Sequence, residues 1–219
     1  MNLSTFLDLI YPQRCAFCQK IILPQDKGIC RQCSYTLPFI PADNQLVAPD
    51  LHISICLSVF YYKDAVRQSL IRYKFQGKNA YYKCYANLIA EGLKDHALDF
   101  DIVSWVPLSK RRYRKRGYDQ AKLIANEVAL LMNVPCIQTL IKYRNNPPQS
   151  GTLDENQRRN NVKDVYRLKV NAPIYGVRVL LIDDIITTGA TLSECASILL
   201  DGGAKEIFGA TVARTLKEN

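Results

Sequence analysis

No run of about 18 consecutive apolar residues occurs in the chain, so the sequence predicts no membrane-spanning helix. The opening residues MNLSTFLDLIYPQRC lack a basic stretch and a small-residue cleavage site, which argues against a secretory signal. The expectation is a cytoplasmic chain. Histidine is scarce: His52 and His96 are the two, and neither stands in a spacing that pairs it with a second ligand or base. Internal repeats are absent. The combination of low hydrophobicity with high charge is absent too, since 48% of residues are hydrophobic and 22% charged, which excludes a disordered or fibrous chain. A chain of 219 residues is long enough to bury a sizeable core.

The charge is present but unevenly placed. Lys and Arg number 29 against 20 Asp and Glu, a net of +9. Residues 1–56 carry four of each, and residues 57–120 carry thirteen basic and six acidic groups, net +7. Residues 121–170 add +4, and residues 171–219 are −2. The middle of the chain therefore presents an anion-seeking surface, suited to phosphate-rich ligands or nucleic acid.

Eight cysteines fall into two populations. Cys15, Cys18, Cys30 and Cys33 form C-x2-C-x11-C-x2-C, two knuckles that can close a tetrahedral four-thiolate site. Four sulfurs with no open position suit structural Zn²⁺. Reduced cytoplasmic thiols disfavour disulfides here. Gly28 supplies turn freedom before Cys30. Cys56, Cys84, Cys136 and Cys195 stand singly in apolar segments and read as small buried hydrophobes.

The remaining chain alternates strand and helix. Residues 55–62, 102–107, 177–182 and 206–213 read as strands; residues 63–75, 79–94, 119–132 and 191–201 read as helices. A short apolar helix is expected over residues 3–10, and the proline-bearing stretch 36–54 reads as linker. Residues 144–161 read as a mobile loop. The division expected is a zinc-binding unit over residues 1–40, a linker over 41–54 and an α/β domain over 55–219. Its parallel sheet should be covered by helices on both faces.

One segment carries chemistry. VLLIDDIITTGAT, residues 179–191, begins as a doubly buried strand and ends in Asp183 and Asp184, followed by a glycine-bearing turn into a helix. Ligands of open α/β sheets bind at the carboxyl ends of strands. A turn feeding a helix N-terminus presents N–H groups and a positive dipole end to phosphate. Two carboxylates beside such a cradle would repel phosphate unless they accept bonds from sugar hydroxyls or hold a cation with them. A ribose 5-phosphate meets both demands.

This pattern closely resembles the 5-phosphoribosyl-1-pyrophosphate (PRPP) signature of type I phosphoribosyltransferases. The resemblance implies Asp183 and Asp184 as the catalytic pair fixing the ribose. It implies Ile185, Thr187, Thr188, Gly189, Ala190 and Thr191 as the 5-phosphate loop. It also implies Leu108, Ser109, Lys110 and Arg111 as the pyrophosphate loop, with Mg²⁺ accompanying PRPP. The stretch WVPLSKRRYRKRGYDQA (residues 105–121), the segment LIRYKFQGK (residues 70–78) and the four-cysteine knuckle together are similar to the ComF (ComFC/GntX-like) subfamily. A loop of that subfamily would place Gln149, Leu153, Arg158 and Asn161 over the site. The resemblance implies a role in DNA uptake during natural transformation, with a partner in the uptake machinery. Arg112, Tyr113, Arg114, Lys115, Arg116 and Tyr118 interleave cations and rings and are candidates for single-stranded DNA contact. Two readings stay open: a PRPP-binding accessory of DNA handling, or an active phosphoribosyltransferase with an unknown acceptor.

Overall fold

The computed structural model describes residues 12–48, 51–144 and 165–216. The expected helix over residues 3–10 and the loop residues Gln149, Leu153, Arg158 and Asn161 lie outside these.

Four apolar segments assemble into one parallel sheet. They are β2 (Ile53–Tyr61), β3 (Ile102–Trp105), β6 (Arg178–Ile186) and β7 (Glu206–Arg214). A short strand β1 (Leu46–Ala48) adds an antiparallel edge, giving the order β1-β2-β7-β6-β3. The interior strand β6 is buried on both faces: Val179, Leu180, Leu181 and Ile182 are all fully inaccessible to solvent. Leu180 and Ile182 join one core, Val179 and Leu181 the other. This is what a run without polar alternation demands of a parallel strand.

The cysteine-bearing segment contributes one short helix, α1 (Arg31–Thr36). The first core is roofed by α2 (Asp64–Phe75), α3 (Tyr81–Asp95) and α5 (Gln120–Met132). Val66, Leu70 and Tyr73, spaced to share one face of α2, are buried there, as are Ile124 and Val128 of α5. Asp119 caps α5, its Oδ1 accepting from the Lys122 N–H at 3.3 Å. The second core lies under α6 (Ala190–Asp201) and an antiparallel ribbon of β4 (Leu140–Lys142) and β5 (Tyr166–Leu168).

Three features differ from the reading of the sequence. The proline-bearing stretch 36–54 is not bare linker. It carries β1, and Phe39 bridges to Phe60 of β2. The cationic run forms a short helix, α4 (Lys110–Arg116). Its ends explain why it holds despite like-charge crowding. The Ser109 hydroxyl accepts from the Arg112 N–H at 3.3 Å, and Gly117 closes the far end at φ 81°. The ribbon strands are three residues each, too short to show a period in sequence. Cys56, Cys84 and Cys195 are buried as expected, while Cys136 is partly exposed.

Candidate functional site

The four knuckle cysteines converge. Cys15 and Cys18 bracket a tight turn in which the Gln19 N–H donates to the Cys15 carbonyl at 3.0 Å. Cys30 caps α1, and Cys33 lies in its first turn. All four Sγ atoms lie within 4.8 Å of one another, with Cys18 Sγ and Cys30 Sγ 3.6 Å apart. A tetrahedral Zn–S distance of about 2.3 Å sets sulfurs about 3.8 Å apart, so the cluster fits zinc with little adjustment. The Cys30 and Cys33 N–H groups donate to the sulfurs of Cys15 and Cys30 at 3.5 and 3.4 Å. Gly28 approaches α3 so closely that a Cβ there would lie 2.6 Å from Cys84 Cβ, at φ 89°.

A cleft of about 170 Å³ opens at the carboxyl ends of β3 and β6, where sheet geometry places ligands. Its floor holds Asp183 and Asp184, its walls Lys74, Leu108, Arg112, Arg116, Asp119, Gln120, Lys142, Tyr166 and Thr191. A smaller hollow formed by Ile185, Thr187, Gly189, Ala190 and Thr191 adjoins it, and Asp183 and Thr191 line both. The expected acid pair and most of the phosphate loop are therefore brought together. Thr188 is spent locally, its Oγ1 accepting from the Ala190 N–H at 3.4 Å. Gly189 stands at φ 80°, and a Cβ there would meet Leu51 Cδ1 at 2.5 Å. The N-cap of α6 is Gly189, which has no side chain to cap it, so beyond the Ala190 N–H held by Thr188 the first turn keeps its N–H groups for the hollow.

The expected pyrophosphate residues divide. Leu108 lines the cleft, and its N–H donates to Asp119 Oδ2 at 2.9 Å. Ser109 is buried as the cap of α4, and Lys110 and Arg111 are exposed outside the cleft lining. The nucleic-acid candidates divide too. Arg112 and Arg116, one helical turn apart, face the cleft, whereas Tyr113, Arg114 and Lys115 are exposed on the outer side of α4. Arg116 lies 4.9 Å over the Phe75 ring. Tyr118 turns inward, its hydroxyl donating to the Tyr73 carbonyl.

The cleft is electrostatically tense. Burial, then the charge of Asp184, pushes Asp183 up to about 8. Burial also raises Asp119 and lowers Arg116 and Lys142, so neither sign is comfortable there without a partner. Lys74 Nζ donates to Asp184 Oδ1 at 2.7 Å, and Lys142 Nζ donates to the Tyr166 hydroxyl at 3.0 Å. The Gln120 amide Nε2 is buried without a hydrogen-bond partner. An orphaned buried donor among desolvated cations and a proton-retaining acid fits a ligand rich in both anionic oxygens and hydroxyls.

Lys74, Asp119, Gln120, Lys142 and Tyr166 were not assigned roles from the sequence. The first three sit in LIRYKFQGK and RGYDQ, whose family likeness marked the segments without marking the residues. Lys142 and Tyr166 lie in the ribbon and gave no local signal.

Fold and site together define an α/β protein, a parallel sheet covered by helices with a ligand cleft at the carboxyl ends of its strands, preceded by an N-terminal four-cysteine ribbon. Residues 6–44 match the double zinc ribbon domain family. The chain is a homologue of proteins named competence protein F, ComFC and YhgH. It is 26% identical over 214 residues to competence protein F of Haemophilus influenzae, covering 89% of this chain and 93% of that one. It is 27% identical to the DNA utilization protein YhgH of Salmonella typhimurium, covering 92% and 90%. The competence protein ComFC of Bacillus subtilis is 31% identical over 72% of this chain and 63% of its own. Among solved structures, an adenine phosphoribosyltransferase matches with a TM-score of 0.43 at 16% identity, over 65% of this chain and 74% of that one. Glutamine PRPP amidotransferase of Bacillus subtilis matches with a TM-score of 0.42 at 23% identity, over 59% of this chain and 26% of its own longer chain. Among the described residues no helix is long and apolar enough to cross a membrane.

Proposed function

We propose that the cleft binds PRPP, or a ribose 5-phosphate of the same form, together with Mg²⁺, and that the protein serves DNA handling in competence from the cytoplasm. The observation that carries this reading is the meeting of cleft and hollow at Asp183 and Thr191. Sugar hydroxyls would donate to Asp183 and Asp184. The 5-phosphate would sit on the Thr187–Thr191 turn at the free N-terminus of α6. The pyrophosphate would meet Arg112, Arg116 and the Gln120 amide. Mg²⁺ would neutralise the pyrophosphate and so weaken the C1–O bond. The chain's own residues would bind and orient the ligand.

The homology to proteins named for competence and DNA utilization supports the DNA-handling half of the reading. The outward side of α4, with Tyr113, Arg114 and Lys115 exposed, supplies cations and a ring for single-stranded DNA. A partner in the DNA-uptake machinery belongs to the same proposal.

Titration calorimetry with ribose 5-phosphate and with PRPP, each with and without Mg²⁺, tests the cleft. Asp183→Asn combined with Asp184→Asn should weaken binding by about 1–3 kcal/mol for each carboxyl acceptor removed. Equal affinity of double variant and wild type would overturn the assignment. Release of pyrophosphate in the presence of bases and amines decides whether the bound ligand is also turned over.

A further inference from the structure

The last turns of α2 touch the zinc knuckle on one side and the cleft on the other. Ser69 Oγ donates to the Ala16 carbonyl at 2.6 Å. The Arg72 guanidinium reaches between the first two cysteine ligands, its Nη2 donating to the Ala16 carbonyl at 3.1 Å and the Phe17 carbonyl at 2.7 Å. The next two residues turn toward the cleft. Tyr73 donates through its hydroxyl to the Gln120 carbonyl at 2.9 Å, and Lys74 donates to Asp184 at 2.7 Å.

Arg72 is an expensive choice for an anchor of this kind. Its Nε is buried with no partner, and a buried guanidinium that leaves a donor unmet carries a desolvation cost. A hydrophobic residue would fill the space without that cost. What the arginine provides is a two-carbonyl clamp on the metal-binding turn. A Zn²⁺ held by four thiolates also carries a net charge of about −2, which favours a cation beside that turn.

We infer that Arg72 is a positioning residue: through it the metal-loaded knuckle fixes the height of α2, and α2 sets Lys74 against Asp184 and steadies Gln120. The acid pair is then held in geometry by a metal site that never touches the ligand. The inference rests on the PRPP reading only for its effect on ligand affinity; the structural coupling stands apart from it.

The test uses the full chain in three forms. Arg72→Met keeps the aliphatic stem and removes the clamp. Arg72→Lys keeps a charge and one donor. Wild type treated with a chelator removes the metal itself. Zinc content, amide hydrogen exchange and calorimetric affinity for ribose 5-phosphate with Mg²⁺ are measured on each. Arg72→Met should retain its zinc, exchange faster over residues 70–76 and 183–191, and bind ligand about tenfold more weakly, within the usual range of coupling between sites. Arg72→Lys should recover part of both effects. The chelated protein should show its largest rise in exchange at the same residues, above any uniform change through the rest of α6 and the β4–β5 ribbon. Zinc-loaded Arg72→Met with unchanged exchange at residues 183–191 would overturn the inference. So would exchange that rises uniformly through the ribbon and α6, since the knuckle would then contribute stability alone. If wild type binds no ribose 5-phosphate, the PRPP reading falls, and the exchange comparison still decides the coupling.

Discussion

Asp183 holds its proton where an ordinary aspartate, with a pKa of about 3.9, has long since lost it. With the folded value pushed to about 8 by burial and Asp184, the native state binds more protons than the unfolded chain across the interval between. Stability therefore falls as pH rises from about 4 to about 8 and levels off above that. Asp183→Asn removes this titration, so the variant should lose less stability than wild type between about pH 5 and about pH 9. Thermal midpoints at the two pH values measure it, at about 2–4 °C for each kcal/mol in a chain of this size. Parallel losses in the two proteins would refute the assignment of this proton to Asp183. Gly189→Ala acts on the neighbouring turn. A left-handed φ and a collision with Leu51 should together cost about 1–3 kcal/mol, read from denaturant midpoints.

At the scale of elements, the sequence and the structure agree where a pattern runs long enough to average. The apolar run of β6 announced a strand buried on both faces. The face shared by Val66, Leu70 and Tyr73 announced α2. The D-D-x-x-T-T-G-x-T string announced the floor of the cleft. Its walls were less legible for physical reasons. Lys74 reaches Asp184 across 110 positions of chain, and the ribbon brings Lys142 and Tyr166 together from strands with no period to read. Helix α4 shows the same limit in miniature. Six cations in seven residues read as one basic run, yet the helical turn sorts them: Arg112 and Arg116 inward, Arg114 and Lys115 outward. The two sides should separate by mutation. Arg114→Glu with Lys115→Glu should flatten the salt dependence of single-stranded DNA binding, by about 0.7 in slope for each phosphate no longer neutralised, and leave ribose 5-phosphate affinity unaltered. Arg112→Ala with Arg116→Ala should do the converse with PRPP, whose pyrophosphate they would meet: PRPP affinity should fall and the salt slope of DNA binding should stay unaltered. If either pair moves both affinities equally, the helix does not divide its charge between two ligands.

At the scale of the whole molecule, the knuckle is continuous with the main core. Cys15, Ala16, Phe17, Ile22, Cys33 and Leu37 share one buried cluster with α2, α3 and α5. The Phe17 ring lies 5.2 Å from that of Phe60 and 6.2 Å from that of Tyr85. Cys33→Ser should therefore abolish binding of about one equivalent of zinc and lower the thermal midpoint of the entire chain, since metal affinity here is folding free energy. A separate early transition confined to residues 12–37, with the main unfolding unmoved, would show the knuckle to be an independent unit.

The sheet joins distant parts of the chain. The hydroxyls of Ser58 in β2 and Thr211 in β7 share a buried hydrogen bond at 2.8 Å across 153 positions of sequence. Among the named strands, β2 pairs only with the short β1 and with β7. During synthesis, then, the nine-residue β2 emerges early and waits while the ribosome delivers almost everything else before its long partner exists. Through that interval a sticky, half-paired strand edge is open to other nascent chains. The interval lengthens as translation slows, so the yield of folded protein should depend on elongation rate and on holding chaperones more than its final stability would suggest.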